Sequence, residues 1–88
     1  MDLASSVGFV AGCVTVVSFV PQVVRVWRTR RTDDLSLGAF VLLASGAALW
    51  LLYGVLRRDP AVIGTNAAVG VLVAAILVAK LRFGSRGA

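Results

Sequence analysis

Three long stretches without a charged residue dominate this sequence. They cover residues 3–24, 35–56 and 60–79, and each is close to the roughly 20 residues that an α-helix needs to cross a hydrocarbon core of about 30 Å. A soluble chain of 88 residues could not bury three such stretches on every side. The sequence therefore predicts an all-α membrane protein: a single domain over residues 1–88, with transmembrane helices at 3–27, 37–56 and 60–80 and a short basic tail at 81–88.

The charged residues lie between these stretches, and their distribution predicts the orientation of the chain. Seven Lys or Arg residues fall on one predicted side and two on the other, so the positive-inside rule places the N-terminus outside and the C-terminus in the cytoplasm. Because the net charge of +5 is divided among helix ends, it indicates membrane topology rather than a nucleic-acid partner. The seven are Arg25, Arg28, Arg30, Arg31, Lys80, Arg82 and Arg86; the two are Arg57 and Arg58.

The residue types that are missing exclude several functions. The chain has no His and one cysteine, Cys13, so the sequence predicts no metal site, no cofactor, no disulfide framework and no enzyme. No Asp, Glu, Lys or Arg lies in the core of a span, whereas proton-coupled carriers depend on such groups. A facilitator for a neutral solute is compatible with this composition.

Among the polar residues inside the spans, Asn66 lies level with an aromatic ring. It is six residues into the third span, and Trp50 is six residues before the end of the second, so both lie roughly 9 Å below one surface. An aromatic face beside an amide suits a sugar, which offers CH groups and hydroxyls; the alternative is that both side chains pack between helices. Ser and Thr hydroxyls bond back to their own helix, whereas the Asn66 amide is expected to need a partner outside its helix. The remaining polar residues are Thr15, Ser18, Gln22, Ser45 and Thr65.

Several local signals predict helix ends and packing. Ser36 is expected to cap the second helix, and Asp59 followed by Pro60 marks the start of the third. The very short connection between these helices makes them antiparallel neighbours. Pro21 lies inside the first helix, where it is either a passive kink or a working hinge. Other signals are the Gly8 and Gly12 pair, which fits a subunit interface or an internal contact, and Trp27 and Phe83, which are expected at the inner interface as anchors.

Three motifs give the chain a family resemblance. Ser18-Phe19-Val20-Pro21-Gln22 resembles the proline–glutamine motif of the PQ-loop superfamily. The runs Gly46-x-x-Leu49-Trp50-x-x-Tyr53-Gly54 and Pro60-x-x-Ile63-x-x-Asn66 resemble the bacterial SemiSWEET sugar transporters, in the same order and spacing. The resemblance extends from about residue 8 to residue 80, which is nearly the whole chain.

The resemblance implies an assembly and a set of site residues. The fold would be half of a SWEET-type transporter, a three-helix bundle that forms a parallel homodimer of 3+3 helices in the bacterial inner membrane. The substrate-binding residues would be Trp50 and Asn66, the extracellular gate Tyr53, Arg57 and Asp59, and the hinge Pro21 supported by Gln22, with Thr15 and Ser18 as further pocket-lining residues. The chain departs from the family where Val16 follows Thr15 in place of a second threonine. The cytoplasmic gate is placed only near residues 38–41, with Phe40 as the candidate.

The expected function is passive uniport of a mono- or disaccharide by alternating access, with sugar, the lipid bilayer and a second copy of the chain as partners. Two other functions stay open at this point. One is a PQ-loop-type carrier of another small neutral metabolite, and the other is a membrane assembly subunit that transports nothing.

Overall fold

The chain folds into three long helices, and a computed structural model describes residues 2–84. These are α1 (Leu3–Thr29), α2 (Leu37–Arg57) and α3 (Pro60–Phe83). Each is long and apolar enough to cross a membrane, so the prediction of an all-α protein with three transmembrane helices is confirmed. Arg86 and the end of the predicted basic tail lie outside the described residues.

A side chain caps the start of each helix. Asp2 accepts a hydrogen bond from the Ser5 backbone N–H at 2.8 Å, Ser36 from Ala39 at 3.1 Å, and the Asp59 carboxylate from Ala61 and Val62 at 3.1 and 3.3 Å. The cap at Asp2 was missed by the sequence analysis, although an acidic residue just before an apolar run is a typical signal.

The helices end two, one and three residues later than expected, at Thr29, Arg57 and Phe83. The predicted ends lie close to the first charged residue after each apolar stretch. A helix continues past the hydrocarbon boundary, however, wherever its backbone hydrogen bonds are satisfied. Both α1 and α2 stop at an arginine in the left-handed conformation, Arg30 with φ 56° and Arg58 with φ 53°, where glycine is the usual residue.

The three helices form a bent layer with α3 in the middle. α3 packs against both α1 and α2, whereas no Cα atoms of α1 and α2 lie within 8 Å of each other in the described residues. The Cα extents of 48 × 22 × 14 Å match helices lying side by side, since neighbouring helix axes are about 8–10 Å apart. Because successive spans cross the membrane in opposite directions, α1 and α3 run parallel, and α2 runs antiparallel to both.

Glycines set the close approach of the helices to α3. A Cβ atom on Gly8 would lie 3.3 Å from the Ala61 Cβ, and one on Gly12 would collide with the Thr65 side chain. The glycine pair of α1 therefore makes an internal contact with α3. On the other side, a Cβ on Gly54 would lie 2.9 Å from a methyl carbon of Val62.

The core of the protomer is small and centres on α3. Val73 is fully buried and forms a cluster with the nearly buried Ala47 and Val69. Phe19 and Phe40 pack against this cluster from α1 and α2. Most other large apolar side chains are exposed on the protomer, including those of Val10, Leu42 and Val71. In a membrane protein such surfaces face lipid or another subunit.

Candidate solute-binding site

The polar residues of α1 lie on a single stripe. Thr15, Ser18 and Gln22 follow the i, i+3, i+7 spacing of one helix face, and all three are exposed. Gly12 marks the face that packs on α3. At 100° per residue, the polar stripe lies roughly a quarter-turn away from that contact face.

A matching stripe runs along α2. Trp50, Tyr53 and Arg57 also follow the i, i+3, i+7 spacing, and they lie roughly a quarter-turn from Ala47 and Gly54, which face α3. Because α1 and α2 are antiparallel and both are right-handed, the two stripes turn toward the same side of the bent layer. This concave side, on which Asn66 of α3 also lies, is called the open face; it comprises Thr15, Ser18, Gln22, Trp50, Tyr53, Arg57 and Asn66.

Trp50 and Asn66 lie at the same level on the open face. The contact of Gly54 with Val62 and Ile63 fixes the register of the antiparallel pair α2 and α3. Trp50 is four residues before Gly54, and Asn66 is four residues after Val62. Since α2 and α3 are antiparallel, both steps run in the same direction along the membrane normal. Their common depth therefore follows from helix packing.

The indole of Trp50 is held by a neighbouring ring but is not covered. Trp50 and Tyr53 pack edge to face with ring centroids 5.4 Å apart, a favoured aromatic geometry. Trp50 remains 56% exposed and Tyr53 49% exposed on the protomer. A groove of about 330 Å³ lies against these rings and Leu49, so an apolar surface is available for a solute or a second subunit.

Asn66 bonds within its own helix, contrary to expectation. Its Nδ2 donates to the Val62 carbonyl at 2.9 Å, so one amide N–H is satisfied without a partner helix, and the prediction that the amide needs an outside partner is wrong for this donor. Its Oδ1 accepts no hydrogen bond from residues 2–84. The bond therefore fixes the side chain and leaves an acceptor available on the open face.

On the α1 stripe, the Thr15 and Ser18 hydroxyls donate hydrogen bonds within their own helix, and their oxygens remain available as acceptors. The Thr15 hydroxyl donates to the Ala11 carbonyl at 2.9 Å, and the Ser18 hydroxyl donates to the Thr15 carbonyl at 2.6 Å. Gln22 makes no hydrogen bond with the described residues. α1 runs without a break through Pro21, whose missing N–H leaves the Val17 carbonyl without its helical donor.

The last turns of α2 and the loop after it place Tyr53, Arg57 and Asp59 at one end of the protomer, called here the short-loop end. Within residues 2–84, Arg57 and Asp59 form no ion pair with each other. The hydrogen bonds of the Asp59 carboxylate to the start of α3 are made by its Oδ1. Its Oδ2 and the Arg57 guanidinium stay available to groups outside the protomer.

The opposite end, called here the basic end, contains contacts that the sequence did not predict. The Trp27 indole N–H donates to the Ala75 carbonyl at 3.2 Å, and Lys80 Nζ donates to the Thr32 carbonyl at 2.8 Å. The Trp27 and Phe83 rings pack edge to face at 5.2 Å. Sequence reasoning treated Trp27 and Phe83 only as interface anchors, and no local signal pairs Lys80 with a loop carbonyl.

The fold and the open face define a class: a three-span membrane protein with a proline–glutamine motif and a polar and aromatic concave surface. The chain matches the PQ loop repeat family over residues 3–63. It is 44% identical to the "Sugar transporter SemiSWEET" of Bradyrhizobium diazoefficiens, over 93% of this chain and 95% of that protein. It is 40% identical to the protein of the same name from Leptospira biflexa, over 91% and 94%.

Solved structures agree with this assignment. A crystal structure of a bacterial homologue of SWEET transporters superposes with a TM-score of 0.88 and 34% identity, covering 93% of this chain and 99% of that one. A crystal structure of SemiSWEET in the inward-open conformation gives a TM-score of 0.87 and 31% identity, covering 99% and 94%. The chain belongs to the SemiSWEET group of the PQ-loop family. Because these relatives are named as transporters, the prediction that the chain is not an enzyme is confirmed.

Proposed function

We propose that this chain is a passive sugar uniporter that works as a parallel homodimer by alternating access. The observation that carries the proposal is the Trp50 ring and the Asn66 acceptor at one level of the open face. The names of the relatives support the choice of sugar as solute. A sugar offers CH groups to the indole and hydroxyls to the Asn66 Oδ1, and it needs no charged partner, which agrees with spans whose cores carry no charge.

A second copy supplies what a single protomer lacks. One bent layer of three helices cannot enclose a hydrated solute, whereas two open faces brought together around a two-fold axis along the membrane normal form a path with six helices around it. The symmetry then presents two Trp50 rings and two Asn66 acceptors to one solute. Thr15 and Ser18 extend the polar lining from that level toward the basic end.

The extracellular gate is assigned to the short-loop end. Tyr53 rings from two protomers would close on each other, and the Arg57 guanidinium of one protomer would pair with the free Asp59 Oδ2 of its partner. Charge-assisted hydrogen bonds of this kind are stronger than neutral ones. Their formation and rupture would accompany closing and opening at this end.

The hinge is assigned to Pro21. The carbonyl of Val17 has lost its N–H donor, so bending there breaks one backbone hydrogen bond fewer than elsewhere in α1. Gln22, which is adjacent and makes no hydrogen bond with residues 2–84, can donate to carbonyls that bending exposes. Movement of α1 around this point would open and close the basic end, where Phe40 lies near the start of α2 and packs against the core cluster.

The proposed orientation follows the charges. The basic end carries Arg25, Arg28, Arg30 and Arg31 and faces the cytoplasm, while the short-loop end faces outward. The N-terminus is then outside and the C-terminus inside, in the bacterial inner membrane.

The test is radiolabelled sugar counterflow in proteoliposomes, with glucose and sucrose as solutes. Trp50→Ala and Asn66→Ala should each abolish counterflow while the protein still forms dimers. Leu52→Ala and Ser45→Ala are the matched controls on α2: Leu52 is 54% exposed but lies off the open face, and the Ser45 hydroxyl bonds back to Val41 as Asn66 does to Val62. The controls should transport like the wild type.

No counterflow of either sugar by folded, inserted wild-type protein would overturn the proposal. Transport of another neutral metabolite, lost in the same two variants, would keep the site and change the solute. Absence of any flux would favour a non-transporting assembly subunit.

A further inference from the structure

A group of contacts at the basic end fastens α1 to α3 beyond the proposed hinge. The indole N–H of Trp27 donates to the Ala75 carbonyl, and the Trp27 ring packs on Phe83. The Arg30 guanidinium lies 5.7 Å from the centroid of the same Phe83 ring, within the range of a cation–π contact. All three contacts join the last turn of α1 or its C-cap residue Arg30 to the part of α3 from Ala75 to Phe83.

The loop after α1 is fastened to the same end of α3. Thr32 is 1% exposed, although it belongs to a loop, and its carbonyl accepts a hydrogen bond from Lys80 Nζ at 2.8 Å. A Cβ atom on Gly84 would lie only 2.7 Å from the Thr32 Oγ1, so the loop lies directly on the end of α3. The contacts of Trp27, Arg30, Thr32, Lys80, Phe83 and Gly84 are called the basic-end clamp.

The clamp conflicts with the simplest movement at Pro21, in which the end of α1 swings away from a fixed α3. That movement would break the Trp27 hydrogen bond and separate two aromatic rings. It would also leave the partly buried Lys80 ammonium and the Thr32 carbonyl without partners, and unpaired buried groups are costly. Within the described residues no hydrogen bond joins α1 to α2, and no Cα atoms of these two helices lie within 8 Å of each other.

We infer that the end of α1 beyond Pro21, the loop at 30–36 and the end of α3 move as one body during transport, and that α3 bends at Gly70 when α1 bends at Pro21. The inference rests on the proposed function and describes its gating. Trp27, Thr32 and Lys80 act as positioning residues, because they hold the moving part of α1 on α3 and do not contact the solute.

The register of α1 and α3 identifies the bending point. Gly8 faces Ala61 and Gly12 faces Thr65, so the two parallel helices advance in step. Five residues after Gly12 and Thr65, Val17 of α1 therefore lies level with Gly70 of α3. Val17 is the residue whose carbonyl lacks a donor because of Pro21, so the weak point of α1 and a glycine of α3 share one level.

Packing within the protomer gives no reason for glycine at position 70. A Cβ atom there would meet nothing within 4 Å, and the same holds for Gly64 in the outer half of α3. Glycine loosens a helix because it has more backbone freedom than any other residue. Gly64 therefore serves as a matched control for Gly70: same helix, same open surroundings, but six residues away on the outer side.

The first experiment locks the clamp covalently. In a Cys13→Ser background, Thr32→Cys and Gly84→Cys are combined, because the close approach of these residues keeps their Cβ atoms within the roughly 4.5 Å that a disulfide tolerates. Sugar counterflow is measured with the bridge oxidised and reduced, and the single-cysteine variants control for the oxidant. If α1 and α3 move together, the oxidised protein keeps its counterflow within about twofold.

The second experiment stiffens α3. Gly70→Ala should slow counterflow at least about fivefold without reducing dimer formation or thermal stability, while Gly64→Ala should stay within about twofold of the wild type. A slower rate combined with equal or higher stability separates a hinge from a damaged fold.

The outcomes separate this inference from the proposed function. Absence of flux in the wild type overturns the proposed function itself. Flux in the wild type that oxidation of the double-cysteine variant abolishes and reduction restores overturns the clamp, because α1 must then leave α3. Counterflow of Gly70→Ala equal to that of Gly64→Ala overturns the assignment of the bend to Gly70.

Discussion

The two ends of the protomer differ in whether their polar side chains have hydrogen-bond partners within the chain. At the basic end they bond inside the chain: Lys80 to Thr32, Trp27 to Ala75, and Arg25 to Asp34 at 3.0 Å. At the short-loop end, Arg57 makes no such bond within the described residues, and only one oxygen of Asp59 is used. A closed set of contacts holds helices of one protomer together, whereas an open set is suited to contacts between protomers. Substitutions that remove a bonded group at the basic end should therefore lower protomer stability, whereas those that remove an available charged group at the short-loop end should change transport.

The largest effect on stability is expected from Lys80→Met. The substitution keeps the apolar part of the side chain and removes the charged donor from a partly buried carbonyl, which should cost about 2 kcal/mol of unfolding free energy. Arg82→Met, on an exposed residue at the same end, is the control and should cost less than about 0.5 kcal/mol. Denaturant titration in detergent micelles measures the unfolding free energy of both variants. Equal losses would mean that the Lys80 hydrogen bond does not stabilise the basic-end clamp.

Asp59→Asn separates the helix cap that Asp59 makes from its proposed role in the gate. Asparagine caps a helix about as well as aspartate, so the unfolding free energy should change by less than about 0.5 kcal/mol. The lost charge should weaken the proposed pairing with Arg57 of the partner subunit by about 1.4 kcal/mol, which corresponds to a roughly tenfold change in the equilibrium of the proposed gate. Counterflow should fall accordingly, while Ser36→Asn, which also puts asparagine at a helix cap but removes no charge, should leave it unchanged. Normal counterflow in Asp59→Asn would argue against an ionic gate.

The two arginines with positive φ should respond differently to glycine. Arg58→Gly relieves left-handed strain and should stabilise the protein by about 1 kcal/mol. Arg30→Gly relieves the same strain but loses the contact with Phe83, worth about 0.5–1 kcal/mol, so its net effect should be near zero. Thermal unfolding in micelles compares the pair; the same gain at both positions would mean that the Arg30 contact contributes nothing.

The smallest effect is expected from acid. The hydrogen bond from Arg25 lowers the pKa of Asp34, and hydrogen bonds from Ser5 lower the pKa of Asp2 at the other end. A lowered native pKa adds stability above the ordinary Asp value of about 3.9, and this stability is lost as the pH falls through the native pKa. The stability differences between wild type and Asp34→Asn, and between wild type and Asp2→Asn, should both shrink from pH 6 to pH 3. A difference that stays constant would mean that the carboxylate is not stabilised by its partner.

Much of the fold was accessible from the sequence because hydrophobic length and local caps act over short distances. The three spans follow from uncharged stretches, and the starts of α2 and α3 follow from Ser36 and Asp59. The common depth of Trp50 and Asn66 follows from helix rise, and the register at Gly54 gives the same level.

What escaped prediction depends on tertiary contacts. Gly8 and Gly12 are compatible with several partners until Ala61 and Thr65 lie opposite them. The rotamer that turns the Asn66 Nδ2 back to Val62 is likewise a property of the folded helix. The clamp joins Trp27 to Ala75 and Thr32 to Lys80 across 48 residues, and no local pattern specifies such a pairing.

The odd number of spans has a consequence for covalent linkage. α1 begins at the short-loop end and α3 finishes at the basic end, so the start of α1 and the end of α3 lie on opposite sides of the bilayer. A linker joining two protomers in parallel would have to return across about 30 Å of hydrocarbon. A single-chain version of the proposed dimer therefore requires a seventh helix between its halves, whereas a flexible soluble linker would force the second copy to insert upside down.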